Sequence, residues 1–226
     1  GRNSNENIRS QIYNLHQLKG IEFIFSNEIS EIVLNNKNKL NKILLKNNIE
    51  ISTDMIIAGI GVKPNVDFIS NSEIEIENGI KVNQYLETNI TDVYAIGDIA
   101  NYKSLFSNSF IREESWNNAE KQSYILSQNI LKNKIAYNEI PWFWTDQFDQ
   151  NFQILGNINN FDKLYRRYYD DSKFTEFYLQ KDQIVGAFAQ NMGRDIKIAK
   201  EIIKKNIYFD LDLLNDPKYN LKKILK

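Results

Sequence analysis

The stretch Asp92-Val93-Tyr94-Ala95-Ile96-Gly97-Asp98-Ile99-Ala100 decides how the rest of the chain is read. Val93 to Ile96 predict a short buried strand that ends at Gly97-Asp98. Glycine at a strand end lets the backbone come close to a ligand, because no Cβ intervenes. Open α/β sheets receive ligands at the C-terminal ends of their strands. A carboxylate there accepts strong hydrogen bonds from ligand hydroxyls. The plainer reading is that Asp98 only caps the next turn, and on these nine residues alone it is the better one.

Upstream, Met55 to Ala58 predict a second buried strand, running into Gly59-Ile60-Gly61. These glycines are as consistent with a tight turn as with close approach to a flat ligand. They do not make the six-residue dinucleotide fingerprint, which needs a third glycine and a following helix. Pro64 forces an extended exit. Further back, Asn3 to Leu18 predict a helix with Ile8, Ile12, Leu15 and Leu18 on one stripe, stopped by Gly20. Glu22 to Phe25 predict a short strand. Glu28–Leu34 and Leu40–Leu45 predict a hairpin across Asn35–Lys39, with Glu50-Ile51 as a further edge. Ile74 to Val82 alternate around Asn78-Gly79, a two-residue hairpin signal.

Downstream, Glu114 to Leu131 predict a helix with Ser115 as its N-cap. The free N–H groups and partial positive charge of such an end can stabilise an anion. The plainer reading is a surface helix with Trp116 in the core. In Pro141-Trp142-Phe143-Trp144-Thr145-Asp146-Gln147, large aromatics could wall a planar cofactor. Trp142 and Phe143 fit a packing cluster better, since neighbouring residues of a strand cannot all face one ligand. Lys163–Tyr169, Phe174–Gln180 and Ile184–Ala189 predict an antiparallel sheet. Gly193–Lys205 predict an amphipathic helix through Ile196, Ala199 and Ile203. The change of character places a domain boundary near Asn138.

Composition removes several function classes. The 226 residues carry a net charge of −1, without the basic excess of a nucleic-acid binder. With 13 Phe, 12 Tyr and 3 Trp, disorder is not expected. No apolar run approaches the ~20 residues of a membrane span, and Gly1 to Asn7 carry no apolar leader segment. The absence of cysteine excludes disulfides and Cys-ligated clusters within this chain and fits a reducing, cytoplasmic setting. A single histidine argues against a His-rich metal site.

In order and spacing, YAIGD (94–98), ESWNNAEKQ (114–122), PWFWTDQF (141–148) and FDLDLLNDPKYNLKKIL (209–225) resemble the putidaredoxin and rubredoxin reductase family. That family includes ferredoxin reductases of ring-hydroxylating dioxygenases. MIIAGIGVKPN (55–65) and HQLKGIEFIF (16–25) fit it too, and PWFWTDQ is the most specific part. The resemblance implies an α/β fold on the glutathione reductase-like plan. Rossmann-like FAD- and NAD-binding domains would be followed by a small α+β reductase domain. Residues 1–63 would be the C-terminal part of the NAD domain, 64–138 the returning part of the FAD domain, and 139–226 the reductase domain.

The implied activity passes electrons from NAD(P)H through FAD to a ferredoxin or rubredoxin, with no side chain as nucleophile or general base. Gly97 and Asp98 would hold the ribityl-phosphate region of FAD. Ser115 and Trp116 would face the flavin pyrimidine, where a reduced flavin carries charge around N1 and the C2 carbonyl. Trp144 would lie near the isoalloxazine and nicotinamide, and Gly59, Ile60 and Gly61 would line the NADH side.

Two departures stand out. The family's two glycine-rich βαβ fingerprints lie upstream of the segment matching Gly1 and do not occur here, so these residues alone are expected to bind FAD and NADH weakly or not at all. Relatives carry Arg-Gly where this chain has Arg166-Arg167. The residue that separates NADH from NADPH would also precede Gly1. Arg166, Arg167 and Lys173 could form a basic patch for an acidic ferredoxin, although a solvated face is the plainer reading. A disulfide reductase is disfavoured because His16, the sole histidine, falls in the NAD part, where a packing role is simplest. The alternatives from other classes are an interaction module, as in apoptosis-inducing factor, and a non-functional fragment.

Overall fold

A computed structural model describes residues 5–226. Their contacts divide them into two compact units, residues 10–62 and residues 5–9 with 63–226.

Helix α1 spans Glu6–Leu18; the expected helical positions Asn3 and Ser4 lie outside the described residues. Asn5 caps it, its Oδ1 accepting from the Ile8 N–H at 3.0 Å. In the smaller unit, β1 (Ile29–Leu34), β2 (Leu40–Leu45) and β3 (Glu50–Ser52) form one antiparallel sheet in that order. The β1–β2 turn closes on Asn35, whose Oδ1 accepts from the N–H groups of Lys37 and Lys39. That is the local bond that makes asparagine a turn residue. Tyr13 on α1 packs against Phe23 at 4.8 Å and Phe25 at 5.7 Å, and His16 meets the Phe23 ring edge at 6.1 Å.

Three expected strands are absent. Glu22–Phe25 is extended enough to put Phe23 and Phe25 on one face, but no described strand hydrogen-bonds to it. Met55–Ala58 is neither a strand nor buried; Ile57 is 87% exposed and Ile60 96%. Apolar runs of this length become strands only when a neighbour completes the ladder, and the described residues supply none. Val93–Ile96 is held by one bridge between Glu87 and Tyr94 and by the Ala95 N–H to the Leu86 carbonyl at 3.3 Å. Ala95 nonetheless lies in the core.

The larger unit has two cores. The first gathers Ile80, Val82, Leu86, Ala95, Ala100, Tyr102 and Tyr137 around a small mixed sheet. In that sheet β4 (Ile80–Val82) pairs in parallel with β5 (Ala100–Ser104), and β5 pairs antiparallel with β6 (Ser109–Arg112). The Asn78-Gly79 turn forms with positive φ at both residues, but its first arm is reduced to the single bridge Ile76–Ile80. Helix α2 follows at Trp116–Ile130.

The second core lies under a five-stranded antiparallel sheet. Its strands are β7 (Trp142–Gln147), β8 (Gln150–Gly156), β9 (Lys163–Asp170), β10 (Lys173–Gln180) and β11 (Gln183–Gln190), in the order β7-β8-β11-β10-β9. Helix α3 (Gly193–Lys205) lays Ile196, Ala199 and Ile202 against Leu155, Phe177 and Ala187. The C-terminal tail adds two short 3₁₀ turns, Leu211–Leu214 and Leu221–Leu225, anchored by buried Leu214 and Leu221. Arg166-Arg167 forms no turn; both sit in the middle of β9.

Candidate functional site

The start of α2 is tied down by a set of polar side chains in the larger unit. Ser115 is extended, and its Oγ accepts from the Asn118 N–H at 3.1 Å. Asn118 is buried. Its Nδ2 donates to the Glu113 carbonyl at 3.1 Å and its Oδ1 accepts from the Tyr137 hydroxyl at 2.9 Å. The N–H groups of Trp116 and Asn117, in the helix's first turn, have no acceptor four residues back. This end is therefore fixed in place and still able to donate.

One turn on, Gln122 is fully buried, and its Oε1 accepts from the Gly97 N–H at 2.7 Å. Its Nε2 is buried with no partner among the described residues. Gly97 has φ +74°, and a Cβ there would meet only the Ala119 Cβ, at 3.8 Å. Arg112 holds the other side of the turn, donating through Nη1 to the Asp98 carbonyl at 2.9 Å and through Nε to Asn78 Oδ1 at 3.3 Å. Its Nη2 lies 2.7 Å from Glu114 Oε1. The backbone of Asp98 is thus clamped while its carboxylate is exposed and makes no hydrogen bond among the described residues.

Behind the helix end lies a buried acid. Tyr102 donates its hydroxyl to Glu113. Burial raises the Glu113 carboxyl above the usual carboxylate range, against the opposing pull of the Tyr102 bond and of Lys200. Burial and then the charge of Glu113 push the Tyr102 and Tyr137 hydroxyls far above ordinary tyrosine. Glu139 is shifted the other way. Burial would raise it, but hydrogen bonds from Lys200 at 2.7 Å and Lys204 at 3.1 Å outweigh burial and hold it low.

A cleft of about 410 Å³ opens where Arg112 to Ser115 meet the five-stranded sheet. Phe106, Trp142, Phe143 and Ile154 line its apolar side. On β7, Trp142 and Trp144 share a face and stack at 4.9 Å, while Phe143 points to the other side. Trp142 packs on the second core and donates Nε1–H to Gln153 Oε1 at 3.2 Å. Trp144 is half-buried outside the cleft lining. Trp116 is not in the core, as the plain reading of the helix required; it is 69% exposed.

The structure therefore brings Gly97 and Asp98 together with the helix end at Ser115 and Trp116, and puts Ser115 beside Trp142. Gly59, Ile60 and Gly61 are exposed and belong to the smaller unit. Arg112, Glu113 and Asn118 lie in the stretch around Ser115 that the sequence points to, but neither they nor Gln122, Tyr102 and Tyr137 were given a role from sequence. A signal existed for two of them. Asn118 and Gln122 are four apart on a helix and so share a face, and two amides on one face need partners if that face is covered.

The residues fit a flavin. The exposed tryptophan, the free N–H groups, the open space over Gly97 and the unpartnered buried amide all supply surface or hydrogen-bonding capacity that the protein itself does not use.

A family model for pyridine nucleotide-disulphide oxidoreductases matches residues 2–123, and one for the reductase C-terminal domain matches residues 142–225. Among solved structures, the chain is similar to the ferredoxin reductase for the CYP199A2 system of Rhodopseudomonas palustris. The TM-score is 0.89 at 26% identity, covering 98% of this chain and 55% of that one. It is similar to the covalent putidaredoxin reductase–putidaredoxin complex, with TM-score 0.88 at 26% identity, covering 99% and 54%. The NADH:rubredoxin oxidoreductase of Clostridium acetobutylicum matches at TM-score 0.50 and 28% identity, covering 64% and 37%. The chain thus spans about half the length of the first two structures or less of the third.

Proposed function

The chain belongs to the pyridine nucleotide-disulphide oxidoreductase family, and from that premise we propose that it serves an FAD-dependent NAD(P)H:ferredoxin or rubredoxin oxidoreductase. The observation that carries the reading is the start of α2, a rigid donor end set beside the clamped Gly97-Asp98 turn. In this reading residues 1–63 belong to the NAD-binding part, 64–138 to the FAD-binding part, and 139–226 to the reductase domain.

When bound, FAD would take a hydride from NAD(P)H and release electrons singly to the iron centre of a small partner protein. The chain's own residues orient and stabilise. The free Asp98 carboxylate would accept from a ribityl hydroxyl. Ser115 sets the α2 end so that the Trp116 and Asn117 N–H groups meet negative charge at the pyrimidine edge. Trp116 and Trp144 would cover the flat ring system, and Gly59, Ile60 and Gly61 would line the nicotinamide side. No general acid or base is required.

A basic face supports an acidic iron-protein partner. Two clefts on the reductase domain are lined by Arg194, Lys197, Lys218 and Lys222. Glu201, the half-buried acid of that lining, is paired with Lys205 at 3.7 Å. Complementary charge of this kind steers association. Of the three residues that could form a basic patch or, more plainly, a solvated face, Arg166 and Lys173 are exposed but engaged, Arg166 bonding Glu176 and Lys173 lying 3.6 Å from Asp170, whereas Arg167 is buried.

Titrating the chain with FAD while following tryptophan emission tests the flavin site. Saturable quenching is expected in the roughly millimolar range, about −4 kcal/mol of binding, and Trp116→Phe should remove much of it. Saturable quenching that persists undiminished in both Trp116→Phe and Trp144→Phe overturns the reading.

A further inference from the structure

Arg167 is 1% exposed, yet three of its four hydrogen bonds leave the sheet that carries it. Its Nη1 donates to the carbonyls of Leu213, at 3.2 Å, and Asp216; its Nη2 donates to the carbonyl of Tyr219. Its Nε donates to the Tyr169 hydroxyl and lies 3.7 Å from Asp195 Oδ2. Asp195, also buried, accepts from Tyr169 at 2.8 Å and from Thr175 at 3.1 Å. A planar guanidinium presents several donors in a fixed fork. Here the fork closes on three carbonyls of one tail segment, 46 to 52 residues away in sequence.

The gripped segment has no strand ladder of its own, and ordering each of its residues costs on the order of 1–2 kcal/mol in backbone entropy. It carries exposed Lys218, and exposed Lys222 follows one turn later. These two lysines and Arg194, in the first turn of α3, line a cleft of about 320 Å³ that Arg167 and Asp195 also line. Neither lysine makes an ion pair among the described residues, and Arg194 approaches an acid only at 3.9 Å, at the already satisfied Asp195.

We propose that Arg167 is a positioning residue for partner recognition: by gripping the carbonyls of residues 213–219 it holds Lys218 and Lys222 beside Arg194, so that three cations face an acidic iron–sulfur protein together. The proposal rests on the electron-transfer reading above for the identity of the partner and on the hydrogen bonds alone for the grip. Without the fork the tail keeps Leu214 and Leu221 as apolar anchors but loses the bonds that fix the backbone between them.

Arg167→Lys is the informative variant, because it leaves a cation near Asp195 and cannot reach three carbonyls. Limited trypsin digestion of the whole chain, read by mass spectrometry, should show cleavage after Lys218 and Lys222 at least tenfold faster in Arg167→Lys. Tyr169→Phe, which removes one bond to Arg167 and leaves the fork, should give a smaller rise and covers the case in which Arg167→Lys does not fold. Unchanged cleavage overturns the grip. Association with a purified acidic [2Fe–2S] ferredoxin at low salt should weaken severalfold in Arg167→Lys and in Lys218→Glu/Lys222→Glu. If wild type binds the ferredoxin and Arg167→Lys binds it equally well, the positioning role fails. If wild type does not bind it at all while the cleavage result holds, the partner reading fails and the grip survives.

Discussion

Replacing Asn118 by alanine asks whether the α2 end is rigid before any ligand arrives. Asn118 bonds both the Tyr137 hydroxyl, at 2.9 Å, and the Glu113 carbonyl, at 3.1 Å. Two such bonds are worth about 1 kcal/mol each. The Tyr137 hydroxyl, on a residue 1% exposed, would then be left desolvated without an acceptor, at about 1–3 kcal/mol more. The expected loss is therefore about 3–5 kcal/mol. Tyr137→Phe removes the other end of one bond and strands Asn118 Oδ1, so it should cost about 2–4 kcal/mol. Because the two residues share that bond, the double variant should cost about 1–2 kcal/mol less than the sum. Urea unfolding followed by tryptophan emission reads the loss, and the midpoint should fall with an unchanged slope. Strict additivity, or a loss below about 1 kcal/mol for Asn118→Ala, would refute the claim that this pair fixes the helix end.

Glu113 makes stability depend on pH in the opposite sense to most carboxylates. Its folded-state pKa lies above the ordinary glutamate value, so its contribution is complete below that value and is lost as pH rises through the folded-state pKa. Glu113→Gln should flatten that decline in a pH series of melting temperatures; an unchanged decline would show that another group causes it. Two glycines should also separate cleanly. Gly97→Ala meets only the Ala119 Cβ and suffers the left-handed backbone alone, about 1–2 kcal/mol. Gly79→Ala would put a Cβ 2.3 Å from the Ile99 carbonyl oxygen. Added crowding and strain should bring its cost to about 3 kcal/mol or more, and equal midpoints for the two variants would contradict the geometry.

What the sequence disclosed depended on how local the information was. The Asn35 turn, the Ser115 cap and the β9–β10–β11 meander rest on bonds or periodicities within a few residues, and they stand in the structure as read. Met55–Ala58 and Glu22–Phe25 carry the composition of strands, but a strand also needs a partner that composition does not specify. Arg167 was misread for a related reason. An arginine in a polar strand looks solvated until the tail that covers it is placed, and those tail carbonyls lie some fifty residues downstream. Gly97 and Asp98 were legible as a turn, although the strand read before it is reduced to one bridge; that Gln122 and Arg112 clamp the turn from two sides was not.

Helix α2 inverts the usual arrangement of an amphipathic helix, and the inversion argues for a site. Its buried residues are Asn117, Asn118 and Gln122, while Trp116 stands in solvent. Burying amides is unfavourable unless each finds a partner, and Asn118 meets that condition with both ends of its side chain. A helix selected for packing alone would place Trp116 inward and keep the amides outside. The amides instead fix the helix end and the Gly97 N–H, leaving the tryptophan and the first-turn N–H groups directed away from the fold. Gln122 Nε2, buried in α2 without a partner among the described residues, lies on the side chain that holds Gly97. The polar interior of α2 is thus spent on orientation, which a flat ligand with an acceptor edge needs and a packing helix does not.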